Sequence, residues 1–224
     1  MLKDNLYNVI ESIKNGNNLG EKIHLVGATK MVDADTINKA IEYGLKIVAE
    51  NKVQEFRQKT HLIDTNATQH FIGHLQTNKV KYLVGNVSLI QSVDSIHLAE
   101  EISKVAKNKG VIQNILAEVN VGGELSKSGF DLENIFSAVK SLNSLENIEL
   151  VGLMAMLPKL DGEQKLSILC LKMREIFDKL KEEGYNMQYL SMGMSGDYKV
   201  AIKNGSNMIR LGSTIFGKRN YGDI

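Results

Sequence analysis

Short apolar runs alternate with helical patterns along almost the whole chain. Eight runs read as strands: Ile23–Thr29, Ile47–Ala49, Gln69–Ile72, Leu89–Val93, Ile115–Val121, Leu150–Met156, Tyr189–Met192 and Met208–Leu211. Their interiors are rich in Val, Ile and Leu and often continuously apolar, as in parallel strands covered on both faces. Between them, apolar residues recur at helical spacing. Ile37, Ala40 and Ile41 form a stripe that closes at Gly44; Leu98, Ile102 and Val105 form one that closes near Gly110; Leu132, Ile135, Val139 and Leu142 form a third. Residues Met1–Asn15 read as a short amphipathic helix. Strand–helix–strand units of this kind connect with a right-handed crossover, and eight of them predict an α/β fold closed as one (β/α)₈ TIM barrel over residues 1–224. An open doubly wound sheet is the alternative. It normally carries a G-x-G-x-x-G turn after an early strand, whereas the first strand here runs into Gly27-Ala28-Thr29-Lys30.

Composition narrows the function classes. With 27 basic and 26 acidic residues the net charge is +1, so no general attraction to nucleic acid or a membrane surface is expected. No stretch approaches the roughly 20 apolar residues of a membrane span, no signal peptide is visible, and the single cysteine, Cys170, cannot form an intramolecular disulfide. These features predict a cytoplasmic protein. Cys170 falls among Leu169, Met173, Ile176 and Leu180 and reads as a small core residue.

The working face of a β/α barrel lies at the C-terminal ends of its strands. Lys30 ends the first strand there. A lysine at an apolar mouth is open to desolvation, which favours the neutral amine that attacks an aldehyde; a lysine merely projecting into water is the plain alternative. Beyond the seventh strand comes Ser191-Met192-Gly193-Met194-Ser195-Gly196-Asp197, and at the end of the eighth Arg210-Leu211-Gly212-Ser213-Thr214. Small and hydroxylated residues in the loops after strands seven and eight suit a phosphate, though polar turns and helix caps would look similar. Barrel closure sets strand eight beside strand one, so that cradle would flank Lys30. Pyridoxal 5′-phosphate (PLP), with a phosphate at one end and an aldehyde at the other, fits the arrangement. Arg210 alternates onto the face of Gly212 and needs a partner, either a carboxylate or the ligand. Asn51, at the end of strand two, either faces the ligand ring or caps the next helix. His70 and His74 have metal-like spacing but no convincing third ligand, so no metal is expected.

The ordered series of motifs resembles the pyridoxal phosphate homeostasis proteins, the YggS/PROSC family, from Leu25 to Tyr221. It comprises Gly27-Ala28-Thr29-Lys30, Glu50-Asn51-Lys52-Val53-Gln54-Glu55, His70 to Lys79, Ser126-Lys127-Ser128-Gly129, Gly152 to Met156, Leu190 to Ser195 and Arg210 to Gly217. The resemblance implies a fold-type III barrel like the barrel domain of alanine racemase, with a Schiff base to PLP on Lys30. It places Ser195, Gly212 and Thr214 at the phosphate, with Met194 and Ser213 beside them, and Arg210 near the pyridine nitrogen or at the phosphate. Lys127 matches a rim lysine whose role stays open. Gly196 departs from the family pattern, which bears more on helix capping than on PLP.

The resemblance further implies binding, storage or delivery of PLP rather than catalytic turnover, with apo PLP-dependent enzymes as candidate partners; a monomer is the expected state, with a weak dimer left open by the sequence. An arginine at the pyridine nitrogen disfavours its protonation and weakens the electron sink, although racemases tolerate this. Alanine racemases carry an added β domain, for which Gly217–Ile224 leaves no room here, and no tyrosine is identifiable as a second base. A small PLP enzyme such as an amino-acid racemase is the alternative function.

Overall fold

A computed structural model describes residues 1–124, 128–158 and 162–217. Eight strands pair in parallel, each with its sequence neighbour: β1 (His24–Ala28), β2 (Ile47–Glu50), β3 (Thr68–Phe71), β4 (Leu89–Val93), β5 (Gln113–Val119), β6 (Ile148–Ala155), β7 (Tyr189–Ser191) and β8 (Met208–Leu211). The barrel closes where β1 pairs with β8, Val26 opposite Arg210 and Gly27 opposite Leu211. That closure removes the open-sheet alternative and leaves no free sheet edge.

The helices are α1 (Leu2–Ile13), α2 (Ala34–Glu42), α3 (Val53–Lys59), α4 (Ile96–Lys109), α5 (Ile135–Asn143), α6 (Glu163–Glu182), α7 (Tyr198–Lys203) and α8 (Ser213–Phe216). Local chemistry sets several of their ends. The Asp33 side chain accepts from Thr36 N–H at the start of α2, the Ser95 hydroxyl accepts from Leu98 N–H at the start of α4, and Gly110 (φ 65°) ends α4 in the left-handed conformation. Strand β5 sits two residues earlier than its apolar run predicts. The Asn120 side chain bonds the Glu124 backbone and turns the chain out of the sheet, while Gln113 pairs with Ile148 at the strand start.

Two apolar clusters lie between sheet and helices, one around Phe71, Ile102, Val139 and Phe177 and the other around Leu6, Ile37, Leu45 and Ile209. Cys170 is fully buried in the first, and burial pushes its thiol up to about 12, far from reactivity at neutral pH. Inside the barrel a smaller cluster contains Val26, Ala49, Leu89, Leu116, Val151, Met154 and Met208. Among the described residues no helix is long and apolar enough to cross a membrane, and no group of His, Cys, Asp or Glu is arranged to hold a metal.

Candidate functional site

The C-terminal mouth of the barrel holds a cavity of about 550 Å³, within the range of small-molecule sites. Its wall includes Lys30 beyond β1, Asn51 beyond β2, Met194 and Ser195 beyond β7, and Arg210, Gly212 and Ser213 at β8. Seven of the eight residues singled out in the sequence therefore share one cavity. Thr214, the eighth, joins through its backbone: its N–H donates to Ser195 Oγ at 3.3 Å and ties the β8 loop to the β7 loop. Lys127 lies outside the described residues.

Each residue is delivered by its strand. Ala28 closes β1, and the chain then turns so that Lys30 is half-buried at the cavity edge. Among the described residues the Lys30 ammonium has no hydrogen-bond or ion-pair partner. Asn51 does not cap α3: the N-cap is Lys52, and no side chain bonds the helix start. Asn51 is half-buried against the cavity instead. Beyond β7, Gly193 (φ 95°) brings the chain so close to α7 that an added Cβ would lie 2.8 Å from Tyr198 Cα. That contact packs the Met194–Asp197 turn tightly. The Asp197 side chain accepts from Met194 N–H, and Met194 O accepts from the Asp197 and Tyr198 amides, while the Ser195 and Gly196 amides keep no acceptor among the described residues. Two free amides and two hydroxyls beside a helix start form a setting that favours an anion.

Arg210 is 3 % exposed. Its partner is not a carboxylate, as one reading of the sequence held. The guanidinium donates to Ser191 O (2.9 Å), Ser191 Oγ (2.6 Å) and Ala155 O (3.0 Å). Burial pulls its pKa down to about 10, opposed by the fields of Glu118 and Asp197, so it stays charged at neutral pH. The chain of bonds continues: Ser191 Oγ donates to Gln91 Oε1 at 2.7 Å, and Gln91 Nε2 reaches His70 Nδ1 at 3.0 Å. His70 is thus a core residue holding this polar chain. Its environment holds the ring neutral, because burial depresses its pKa to about 3. Barrel interiors are usually filled with branched aliphatics. Here Gln91, Ser191 and His70 replace them and fix the guanidinium below the cavity.

Sequence reasoning missed Glu118. It falls between helix-side residues Ala117 and Val119 and two positions from the interior Leu116, so it points into the barrel. Burial, with Asp94 adding to it, pushes its carboxyl up to about 7. A carboxylate in the otherwise apolar run Ile115–Val119 was the available signal.

The residues present fit PLP. An amine without a recorded partner among the described residues stands at the wall of a cavity whose far loops offer amides and hydroxyls to a phosphate, and a buried guanidinium lies between them. The family model of the alanine racemase N-terminal domain matches residues 12–220. A pyridoxal phosphate homeostasis protein of Aquifex aeolicus is 44% identical over 88% of this chain and 87% of its own. The structure of PipY from Synechococcus elongatus PCC7942 with PLP bound superposes with a TM-score of 0.85 at 27% identity, covering 97% of this chain and all (100%) of that one. The alanine racemase of Clostridium difficile 630, at 22% identity, TM-score 0.70 and coverage of 98% of this chain and 57% of that one, shares the fold. The chain belongs to the pyridoxal phosphate homeostasis protein family.

Proposed function

We propose that this chain binds PLP covalently through the Lys30 amine and serves intracellular PLP homeostasis, holding and delivering the cofactor without turning over a substrate of its own. The observation that carries the reading is the meeting of Lys30, Asn51, Ser195, Gly212 and Arg210 around one cavity. The homeostasis name of its relatives and the PLP-bound PipY structure support it. When bound, PLP supplies an aldehyde that forms an imine with amines and a ring that withdraws electrons. Ser195, Gly212, Ser213 and Thr214 would hold the phosphate with amides and hydroxyls. Arg210 would present a fixed positive charge to the ring, which would disfavour ring protonation and suit storage better than catalysis. Met194 and Asn51, which line the same cavity, would lie beside the ring.

Adding PLP to the purified chain should raise a visible absorption band. Borohydride should then fix a pyridoxyl group on Lys30 by peptide mass mapping, and Lys30→Ala should lose the band. Labelling spread over surface lysines would end the reading. Delivery is checked by mixing the loaded chain with an apo PLP enzyme. Recovery of that enzyme no faster than with a release-matched supply of free PLP would remove the delivery part.

One observation favours a second reading, a small racemase-type enzyme. Glu118 on β5 stands across the barrel from β1 and titrates near neutrality, as a second proton-transfer group would. D-amino acid formed from an L-amino acid panel, lost in both Lys30→Ala and Glu118→Gln, would establish it. No turnover across the panel is the outcome expected.

A further inference from the structure

The cavity residues do not account for a second, charged cluster that lies behind the sheet, between β2 and α3. Lys59 Nζ is within 2.8 Å of Glu50 Oε1 and 3.1 Å of Glu55 Oε2, with all three side chains largely buried. The cluster is bonded to the chain on both sides of Lys30. Lys59 Nζ donates to Thr29 O at 3.2 Å, which is the carbonyl of the peptide group preceding Lys30. Glu55 Oε2 accepts from Met31 N–H at 2.8 Å, which is the amide of the peptide group following Lys30. Thr29 Oγ1 donates to Glu50 Oε1 at 2.7 Å, and Thr29 N–H donates to Ala49 O at 2.9 Å. Two peptide planes meet at the Lys30 α-carbon, and one triad of ions fixes both. Met31, directly after, is held at φ 60°, a left-handed conformation that side-chain-bearing residues avoid.

A buried ion triad is a poor stabiliser, since its desolvation offsets most of its attraction. This one also leaves Glu50 Oε2 buried with no hydrogen-bond partner. Burial resists ionisation of Glu55, yet the Met31 amide and Lys59 prevail and hold its carboxyl below the usual range. Such a costly cluster, bonded to the two peptide groups that flank one side chain, is better explained by aim than by stability.

We infer that Lys59, Glu50 and Glu55 are positioning residues that fix the Lys30 backbone and so direct its amine into the cavity. The inference rests on the reading of Lys30 given above. It predicts that loosening the triad slows attachment at Lys30 while the fold persists, because a small error in aim is expensive for a bond-forming step.

The test uses the full chain with Lys59→Met, Glu55→Ala and the milder Glu55→Gln, with PLP as the probe. Attachment is followed by the rise of the absorption band and by borohydride trapping. Exchange of the Met31 amide is measured on the chain without PLP. The expected result is slower Met31 protection loss in wild type than in the variants and attachment slowed about tenfold or more in Lys59→Met and Glu55→Ala. Glu55→Gln, which keeps an acceptor for Met31, should recover most of the rate. Attachment within about twofold of wild type in variants whose Met31 amide has been released would overturn the inference, as would an unchanged Met31 amide in Glu55→Ala. A wild-type chain that never labels at Lys30 would instead refute the cofactor reading, and the Met31 exchange would then decide alone whether the triad fixes this backbone.

Discussion

Arg210 and Glu118 both carry ionisable groups into the barrel, and their surroundings push them in opposite senses. Arg210 is surrounded by oxygen acceptors, two of them on Ser191 and one on Ala155, so its charge survives burial. Glu118 has Asp94 near it, and burial and that charge together raise its carboxyl to about 7. The sign of the consequence is fixed. A carboxyl whose folded pKa lies above the unfolded value near 4.3 stabilises the fold in acid, and that contribution is lost as pH rises through the folded pKa. Glu118→Gln removes the titration. The variant should be close to wild type in stability near pH 4 and more stable by about 2–4 kcal/mol at pH 8. Urea unfolding at both pH values checks this, and equal stability differences at the two would show that Glu118 titrates normally. At the same scale, Ser191→Ala should loosen Arg210, costing about 1–3 kcal/mol for an unsatisfied buried donor and weakening PLP binding without moving attachment away from Lys30. Calorimetric unfolding and a PLP titration read the two effects separately.

At the scale of elements, the site depends on close approaches between strand ends that side chains would block. Gly73, beyond β3, lies so near the end of β2 that an added Cβ would fall 1.9 Å from Asn51 O. Gly73→Ala must displace the backbone that carries Asn51. It should lower stability by more than about 2 kcal/mol and weaken PLP binding, whereas Gly196→Ala, with open space around it, should leave stability unchanged. Thermal unfolding with and without PLP distinguishes the pair. The strands themselves were legible in the sequence, because parallel strands buried on both faces print continuous apolar runs between turn residues, and β4 and β8 fall on their expected limits. The cavity residues were legible for a related reason. Barrel topology sends every strand end to one mouth, so Lys30, Asn51, Ser195 and Arg210 needed only correct strand ends to be brought together. What could not be read were partners across the barrel. Nothing in Ile115–Val121 says that Glu118 faces Asp94, and nothing in Glu50-Asn51-Lys52-Val53-Gln54-Glu55 says that its two carboxylates reach back to the chain on either side of Lys30. Such contacts depend on which way α3 returns along the sheet, and that is a property of packing, not of local pattern.

For the molecule as a whole, the polar chain inside the barrel couples site geometry to global stability. It runs from Arg210 on β8 through Ser191 on β7 to Gln91 on β4 and His70 on β3, so its Ser191–Gln91 bond joins β7 to β4, two strands that do not pair with one another. At its far end His70 sits fully desolvated with its pKa depressed to about 3, chiefly by burial and secondarily by His24. His24, half-buried, is shifted in the same direction, also by burial first. An unfolded histidine takes up a proton near pH 6.5, whereas folded His70 refuses it until about 3. Between those values the unfolded chain binds more protons, so stability falls as pH drops through that window, by up to about 1.4 kcal/mol per pH unit for this one residue. Glu118 acts in the opposite sense over part of the same range, because its protonated form is favoured in the fold. From about pH 6.5 to pH 4.3 the two contributions largely cancel, so wild type should show a shallow stability maximum at about pH 5–6. His70→Asn keeps an acceptor for Gln91 Nε2 but cannot titrate. Its stability at pH 8 should drop by about 1–2 kcal/mol for imperfect packing. Relative to wild type its stability should rise by about 1.4 kcal/mol for each unit that the pH falls from 6 to 4. Denaturant unfolding across pH 4–8 measures both. Parallel curves for the two chains would mean that His70 takes its proton in the folded barrel, and that the chain from Arg210 is broken at its far end without cost to the fold.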